Sequence, residues 1–164
     1  MSVAILMGSS SDASILEDAV TTLRTFDIPV DVRVLSAHRT PDETVAFARG
    51  AAERGVKVLI CAAGGAAHLA GVVAAVTPLP VIGVPVALAN LGGLDSLLSM
   101  VQMPKGIPVA TVAVNGARNA ALLAVRIMAL SDNRIAAELE RYIANMAEQV
   151  KDMDAEVVAR FSQI

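Results

Sequence analysis

Between Lys57 and Asp95 the chain carries no charged residue. A stretch of that length is long enough to cross a bilayer, but Gly64, Gly65, Gly71, Pro78, Pro80, Gly83 and Pro85 cut it into pieces of strand or short-helix length. Much of the remainder is alanine, which gains little in lipid. The run therefore reads as buried strands and short helices of an α/β sheet, with no membrane association. Composition fits this picture, because 55% of residues are hydrophobic and only 2% aromatic, leaving small aliphatic groups suited to close packing of helix on sheet. With charged residues at only 18%, part of the apolar surface is expected to meet another subunit.

The flanking sequence repeats one pattern. Residues 3–7 are a short apolar run closed by Gly8-Ser9-Ser10-Ser11-Asp12, after which Ile15, Leu16, Ala19, Val20 and Leu23 recur at helical spacing. Residues 30–35 alternate apolar and polar side chains, as a half-buried strand does. Thr40-Pro41-Asp42-Glu43 then carries a capping-box pattern with proline at the first helical position, opening a helix expected to reach Gly55. Further strands are expected over 56–62, 81–86 and 109–114. Helices should follow His68, Gly93 with Asp95 as cap, and the 115–120 segment up to about Leu130. Five strands alternating with helices imply a parallel sheet covered on both faces. From Asp132 the spacing of Ile135, Leu139, Ile143, Met146, Val150, Met153, Val157 and Phe161 predicts one amphipathic helix over 132–164. Such a helix outruns a small sheet, so its distal part is expected against a neighbouring subunit. With 164 residues and no linker-like stretch, a single domain spanning 1–164 is expected.

Several function classes drop out. A net charge of −3 gives no sequence-wide basic footprint for nucleic acid. The single cysteine, Cys61, lies in an apolar run, which leaves neither a disulfide framework nor a cysteine cluster for zinc, and a buried inert thiol is expected. The apolar start at Val3 has no charged lead and soon meets Gly8 and the serines, unlike a signal peptide, so a cytoplasmic location is expected.

Three loops carry chemistry-bearing residues. In Ser36-Ala37-His38-Arg39-Thr40-Pro41 an imidazole and a guanidinium stand side by side between a strand and a helix, where ligands collect in parallel α/β sheets. His38 is one of two histidines, so it is a leading candidate for proton transfer near neutrality, and Arg39 can grip an anion. A histidine merely facing solvent at a helix start is the competing reading. In the loop 8–12 glycine, serine hydroxyls and a helix N-terminus suit a phosphate, whereas Asp12 would repel phosphate and accept hydrogen bonds from a sugar diol. A sugar phosphate would satisfy both ends, while simple helix capping would explain the same residues. In Ala63-Gly64-Gly65-Ala66-Ala67-His68-Leu69 two glycines expose backbone against which a flat ring could lie. There His68 serves either the site or the backbone at the start of its helix.

Taken with Gly83 to Val86, Asp95-Ser96-Leu97-Leu98-Ser99-Met100-Val101-Gln102-Met103-Pro104 and Gly106-Ile107-Pro108, these loops resemble the 5-(carboxyamino)imidazole ribonucleotide mutases of purine biosynthesis, within the class I AIR carboxylase family. The similarity spans nearly the whole chain. It implies a flavodoxin-like, three-layer αβα sandwich with a five-stranded parallel sheet and a long C-terminal helix. The implied activity is a carboxylate shift from the exocyclic nitrogen to a ring carbon, without metal or other cofactor. Carried over by position, His38 is the proton shuttle, and Ser9, Asp12 and Arg39 bind the ribonucleotide. The wider binding set is Ser9, Ser11, Asp12, Ser36, Arg39, Gly64, Gly65, Ala66 and His68. The implied assembly is a homo-octamer whose subunits complete each other's sites. Two positions depart from the family pattern: Ser10, often lysine, and Ala70, usually proline. The alternatives are a carboxylase of the same family using free carbon dioxide and a non-catalytic nucleotide-phosphate binding module.

Overall fold

The computed structural model describes residues 1–162; Gln163 and Ile164, at the end of the helix expected over 132–164, lie outside the described residues. Strands β1 (Ser2–Met7), β2 (Val30–Val34), β3 (Val56–Gly64), β4 (Val81–Val86) and β5 (Ala110–Thr111) are separated by helices α1 (Ala13–Thr25), α2 (Pro41–Arg49), α3 (Leu69–Ala74) and α4 (Leu94–Val101). Helices α5 (Ala117–Ala129) and α6 (Asn133–Phe161) complete the chain. Every strand pairing is parallel and the order is β2-β1-β3-β4-β5, the flavodoxin-like order. The expected three-layer αβα sandwich is what forms.

Two cores follow from strand alternation. Val3, Ile5 and Met7 join Val58, Ile60, Ile82, Leu16, Leu23 and Val125 on the face covered by α1, α5 and the start of α6. Ala4, Leu6, Leu59 and Cys61 join Ala48, Leu69, Val73 and Met100 under α2, α3 and α4. Strands buried on both faces read as continuous apolar runs, which explains the uncharged central stretch. Each fully buried Leu or Ile there contributes about 1.5–3 kcal/mol relative to an exposed position. Cys61 is fully buried and its thiol is pushed up by that burial, so it is inert as expected. No helix among the described residues is long and apolar enough to cross a membrane.

Local details depart from the sequence reading in four places. Helix α2 stops at Arg49, with Gly50 as its cap, rather than reaching Gly55. Arg54 then folds back, donating to the Phe47 carbonyl and lying 4.3 Å from the Phe47 ring centroid, and Gly55 only ends the turn. Thr40 is no side-chain cap: its hydroxyl accepts from Ser36 N–H at 3.0 Å, closing the preceding loop. Asp95 does not cap α4, because Gly93 holds that position with φ 91°, and a Cβ there would approach Val114 to 2.6 Å. The Asp95 Oδ1 atom is enclosed without a partner among the described residues. Finally, β5 is two residues long rather than covering 109–114. Val112 N–H donates to the Gly83 carbonyl, and the next rung of a parallel ladder needs an N–H from residue 85, which proline lacks.

Helix α6 begins as its sequence says. The Asp132 carboxylate accepts from Arg134 N–H and Ile135 N–H at 2.9 and 3.2 Å, satisfying two orphan amides of the first turn. Ile135 and Leu139 are buried, but Ile143, Met146, Val150, Met153, Val157 and Phe161 are exposed. The 29-residue helix spans roughly 43 Å, so most of its apolar stripe lies beyond the sheet.

Candidate active site

The order β2-β1-β3 decides where a site forms. From β1 the chain crosses through α1 to β2 on one side, and from β3 through α3 to β4 on the other. The loops leaving β1 and β3 therefore splay to opposite faces, opening a crevice at their carboxyl ends. The loop after β2 closes one flank of it. This brings together residues far apart in sequence into a cleft of about 310 Å³.

The β1 loop supplies Ser9, Ser11 and Asp12. Ser9 Oγ accepts from Ser11 N–H at 3.3 Å and from the Ser11 hydroxyl at 2.9 Å. The serines thus serve capping, and Ser9 and Ser11 also line the cleft. Asp12 is largely buried, and that desolvation raises its carboxyl above the ordinary range; the Ser11 hydroxyl, the Ser9 backbone and Arg39 act in the opposite direction.

The β2 loop supplies Ser36, His38 and Arg39. Ser36 Oγ accepts from Arg39 N–H at 3.2 Å and from Arg39 Nε at 3.4 Å, while the guanidinium also donates to the Gly8 carbonyl. Arg39 is thereby aimed across the cleft with donors to spare for an anion. On its other side lies a second recess of about 250 Å³ lined by Gly8, Ser9, Ser10, Val34, Ser36, Arg39 and Thr40. Ser10 faces this recess.

The β3 loop supplies Gly64 and Ala66 to the cleft wall. Gly65 does not line it: its N–H is held by Ser96 Oγ at 2.8 Å and its carbonyl by the Ser99 hydroxyl at 3.2 Å. His68 is exposed and is not part of the cleft lining either, yet its Nδ1 stands 2.9 Å from Nε2 of His38. The rings meet edge to face, at 89° with centroids 5.0 Å apart. Exactly one of the two facing nitrogens carries the proton in such a bond, so the tautomer of one imidazole fixes that of the other. In the sequence His38 and His68 belong to separate loops; the fold makes them a pair. It also adds Leu88, whose side chain lies where a Cβ on Gly64 would meet it at 3.0 Å. The only signal for Leu88 was the uncharged loop after β4, and for Ser96 a lone hydroxyl within an apolar helix. Among the described residues no group of three His, Cys, Asp or Glu side chains is gathered to hold a metal ion.

The family model described as AIR carboxylase matches residues 2–149. The chain belongs to the AIR carboxylase family. N5-carboxyaminoimidazole ribonucleotide mutase of Mycobacterium leprae is 57% identical over 94% of this chain and 91% of its own. Phosphoribosylaminoimidazole carboxylase of Schizosaccharomyces pombe is 55% identical over 90% of this chain, which spans 27% of that longer protein. Among solved structures, that of Treponema denticola PurE matches with a TM-score of 0.84 at 34% identity, covering 94% of this chain and 96% of that one. All the residues lining the cleft at the ends of β1 and β3 lie within the stretch that matches the family.

Proposed function

We infer that this protein is an isomerase of purine biosynthesis, converting N5-carboxyaminoimidazole ribonucleotide to 4-carboxy-5-aminoimidazole ribonucleotide. One observation carries the reading. A chain 57% identical to a protein named as that mutase gathers Ser9, Ser11, Asp12, Ser36, His38 and Arg39 around one cleft. In this reading Arg39 and the serines take the phosphate, Asp12 takes the ribose hydroxyls, and the heterocycle lies along Gly64 and Ala66.

The reaction breaks the bond between the carboxyl carbon and the exocyclic nitrogen and forms one to the ring carbon. The nitrogen gains a proton and the ring carbon loses one, so a single acid–base group serves both steps in turn. His38 is the imidazole lining the cleft, and His68 holds its Nε2 side. Leu88, Ala63 and Leu69 supply apolar wall that keeps a released carbon dioxide near both atoms.

His38, Arg39 and His68 are exposed in the single chain, and the outer part of α6 presents an unpartnered apolar stripe. Both features support association with further copies, in our reading a homo-octamer in which neighbouring subunits cover each other's clefts. Light scattering should give eight copies, and a fully active monomer would exclude this assembly. The carboxylase of the same family is the competing reading, and an isotope separates the two. Substrate labelled with ¹³C in its carboxylate, turned over in unlabelled bicarbonate without ATP, should yield product that keeps the label. Product that takes its carboxylate from the medium instead identifies the carboxylase, and binding without turnover identifies a nucleotide-phosphate module.

A further inference from the structure

We propose that Ser96 is a positioning residue for the His38–His68 pair, acting through the Gly65 peptide. The Ser96 side chain is fully buried in the inner face of α4. Its hydroxyl donates to the Val86 carbonyl at 2.7 Å and accepts from Gly65 N–H at 2.8 Å. Neither bond can reverse, since a carbonyl only accepts and an amide only donates, so the hydroxyl rotor is locked. One turn later the Ser99 hydroxyl donates to the carbonyl of the same Gly65 at 3.2 Å. Both polar groups of one residue are thus clamped by two serines of one helix.

Gly65 is where that clamp matters. It has φ +66°, a left-handed conformation that costs glycine little and other residues more. Its carbonyl also accepts from Ala67 N–H at 2.8 Å, and His68 N–H donates to the Ala66 carbonyl at 2.8 Å. Two tight turns therefore lead from the clamped peptide to His68, whose carbonyl accepts from Val72 N–H in the first turn of α3. A rotation of the Gly65 peptide moves the His68 ring relative to His38, and a hydrogen bond of 2.9 Å tolerates little of it. The same clamp ties β3 to the end of β4, so Gly64 and Leu88 keep their spacing across the cleft wall. Serine at 96 is required because only a small hydroxyl both donates and accepts in a space that excludes water.

The kinetic part of this proposal rests on the mutase reading, so the test has an arm that does not. Ser96→Ala and Ser99→Ala are prepared as full-length proteins, and steady-state kinetics are measured alongside imidazole ¹⁵N chemical shifts, which report the protonated nitrogen of each ring. In Ser96→Ala, kcat should fall about 2-fold to 10-fold, the ceiling set by losing the His38–His68 hydrogen bond itself, with KM changed by less than about twofold because Arg39 and the serine loop are untouched. The ¹⁵N shifts of both histidines should move towards those of independent imidazoles. Ser99→Ala, which removes only one contact from the carbonyl, should shift the same signals less, and it decides the matter should Ser96→Ala not fold. Unchanged ¹⁵N shifts in a folded variant, whatever its melting temperature, overturn the proposal. Should the wild-type protein not turn over the substrate, the mutase reading fails while the ¹⁵N shifts still decide the role of Ser96.

Discussion

Replacing His38 by Asn tests the pair of imidazoles at the centre of the cleft. Asparagine keeps a polar side chain of similar reach and cannot shuttle a proton. A positioned acid–base group contributes about 10²–10⁴-fold in rate, or roughly 3–5 kcal/mol of barrier, and His38 is the imidazole that lines the cleft. His68 reaches it through one hydrogen bond of 2.9 Å, a contact worth about 0.5–1.5 kcal/mol net. If His68 acts by holding His38, His68→Asn should therefore slow kcat only about 2-fold to 10-fold. Because the two side chains act on one proton, the double variant should be about as slow as His38→Asn alone. The assay is steady-state turnover of N5-carboxyaminoimidazole ribonucleotide, with substrate binding measured separately by calorimetry and folding by circular dichroism. A near-normal kcat in His38→Asn refutes the reasoning, as does a double variant whose loss equals the product of the two single losses.

Other perturbations address other parts of the site and fold. Arg39→Ala removes the guanidinium held by Ser36 and Gly8 and should weaken substrate binding about 10-fold to 10²-fold, matching the ~1.5–3 kcal/mol of a charge-assisted contact; unchanged affinity in calorimetry would dismiss it as the phosphate ligand. Asp12→Asn should raise the melting temperature near neutral pH while impairing substrate binding. The carboxyl of Asp12 is raised by burial above its ordinary 3.8, so ionisation favours the unfolded chain and its stability contribution falls as pH rises from 3.8 through the folded value. The advantage of the variant should therefore close as the pH drops to about 3.8, and a gain that persists there would contradict burial as the cause. Gly83→Ala would bring a Cβ within 2.3 Å of Met100 Sδ and 3.0 Å of Val109 Cγ1, an overpacking that costs about 1–3 kcal/mol. At a fixed protein concentration the melting temperature should fall roughly 2–12 °C, and an unchanged melt would show that α4 has room to shift.

The amino-acid sequence by itself determined most of the elements and named most of the polar residues that line the cleft. Glycine and proline spacing within the uncharged run marked β3 and β4, Pro41 at a first helical position and the change of spacing at Asp132 marked two helix starts, and the loops 8–12 and 36–41 announced hydroxyls, a carboxylate, an imidazole and a guanidinium. These are local signals, carried by residues that sit within a turn of one another, so no folding is needed to read them. Tertiary structure decided what such signals cannot carry. The length of β5 depends on Pro85, which sits on a neighbouring strand and withholds a hydrogen bond. The helix expected to run to Gly55 ends at Arg49, capped by Gly50, and Arg54 in the turns beyond it returns to Phe47. Gly65 looked like exposed backbone, yet its two polar groups are taken by Ser96 and Ser99, more than thirty positions away. His38 and His68, each ambiguous in its own loop, became one hydrogen-bonded unit because the sheet order β2-β1-β3 places the ends of β2 and β3 around a single crevice. A hydrogen bond between distant residues leaves no periodic or compositional trace in the chain. It exists only once the sheet order has fixed the distance between two loops.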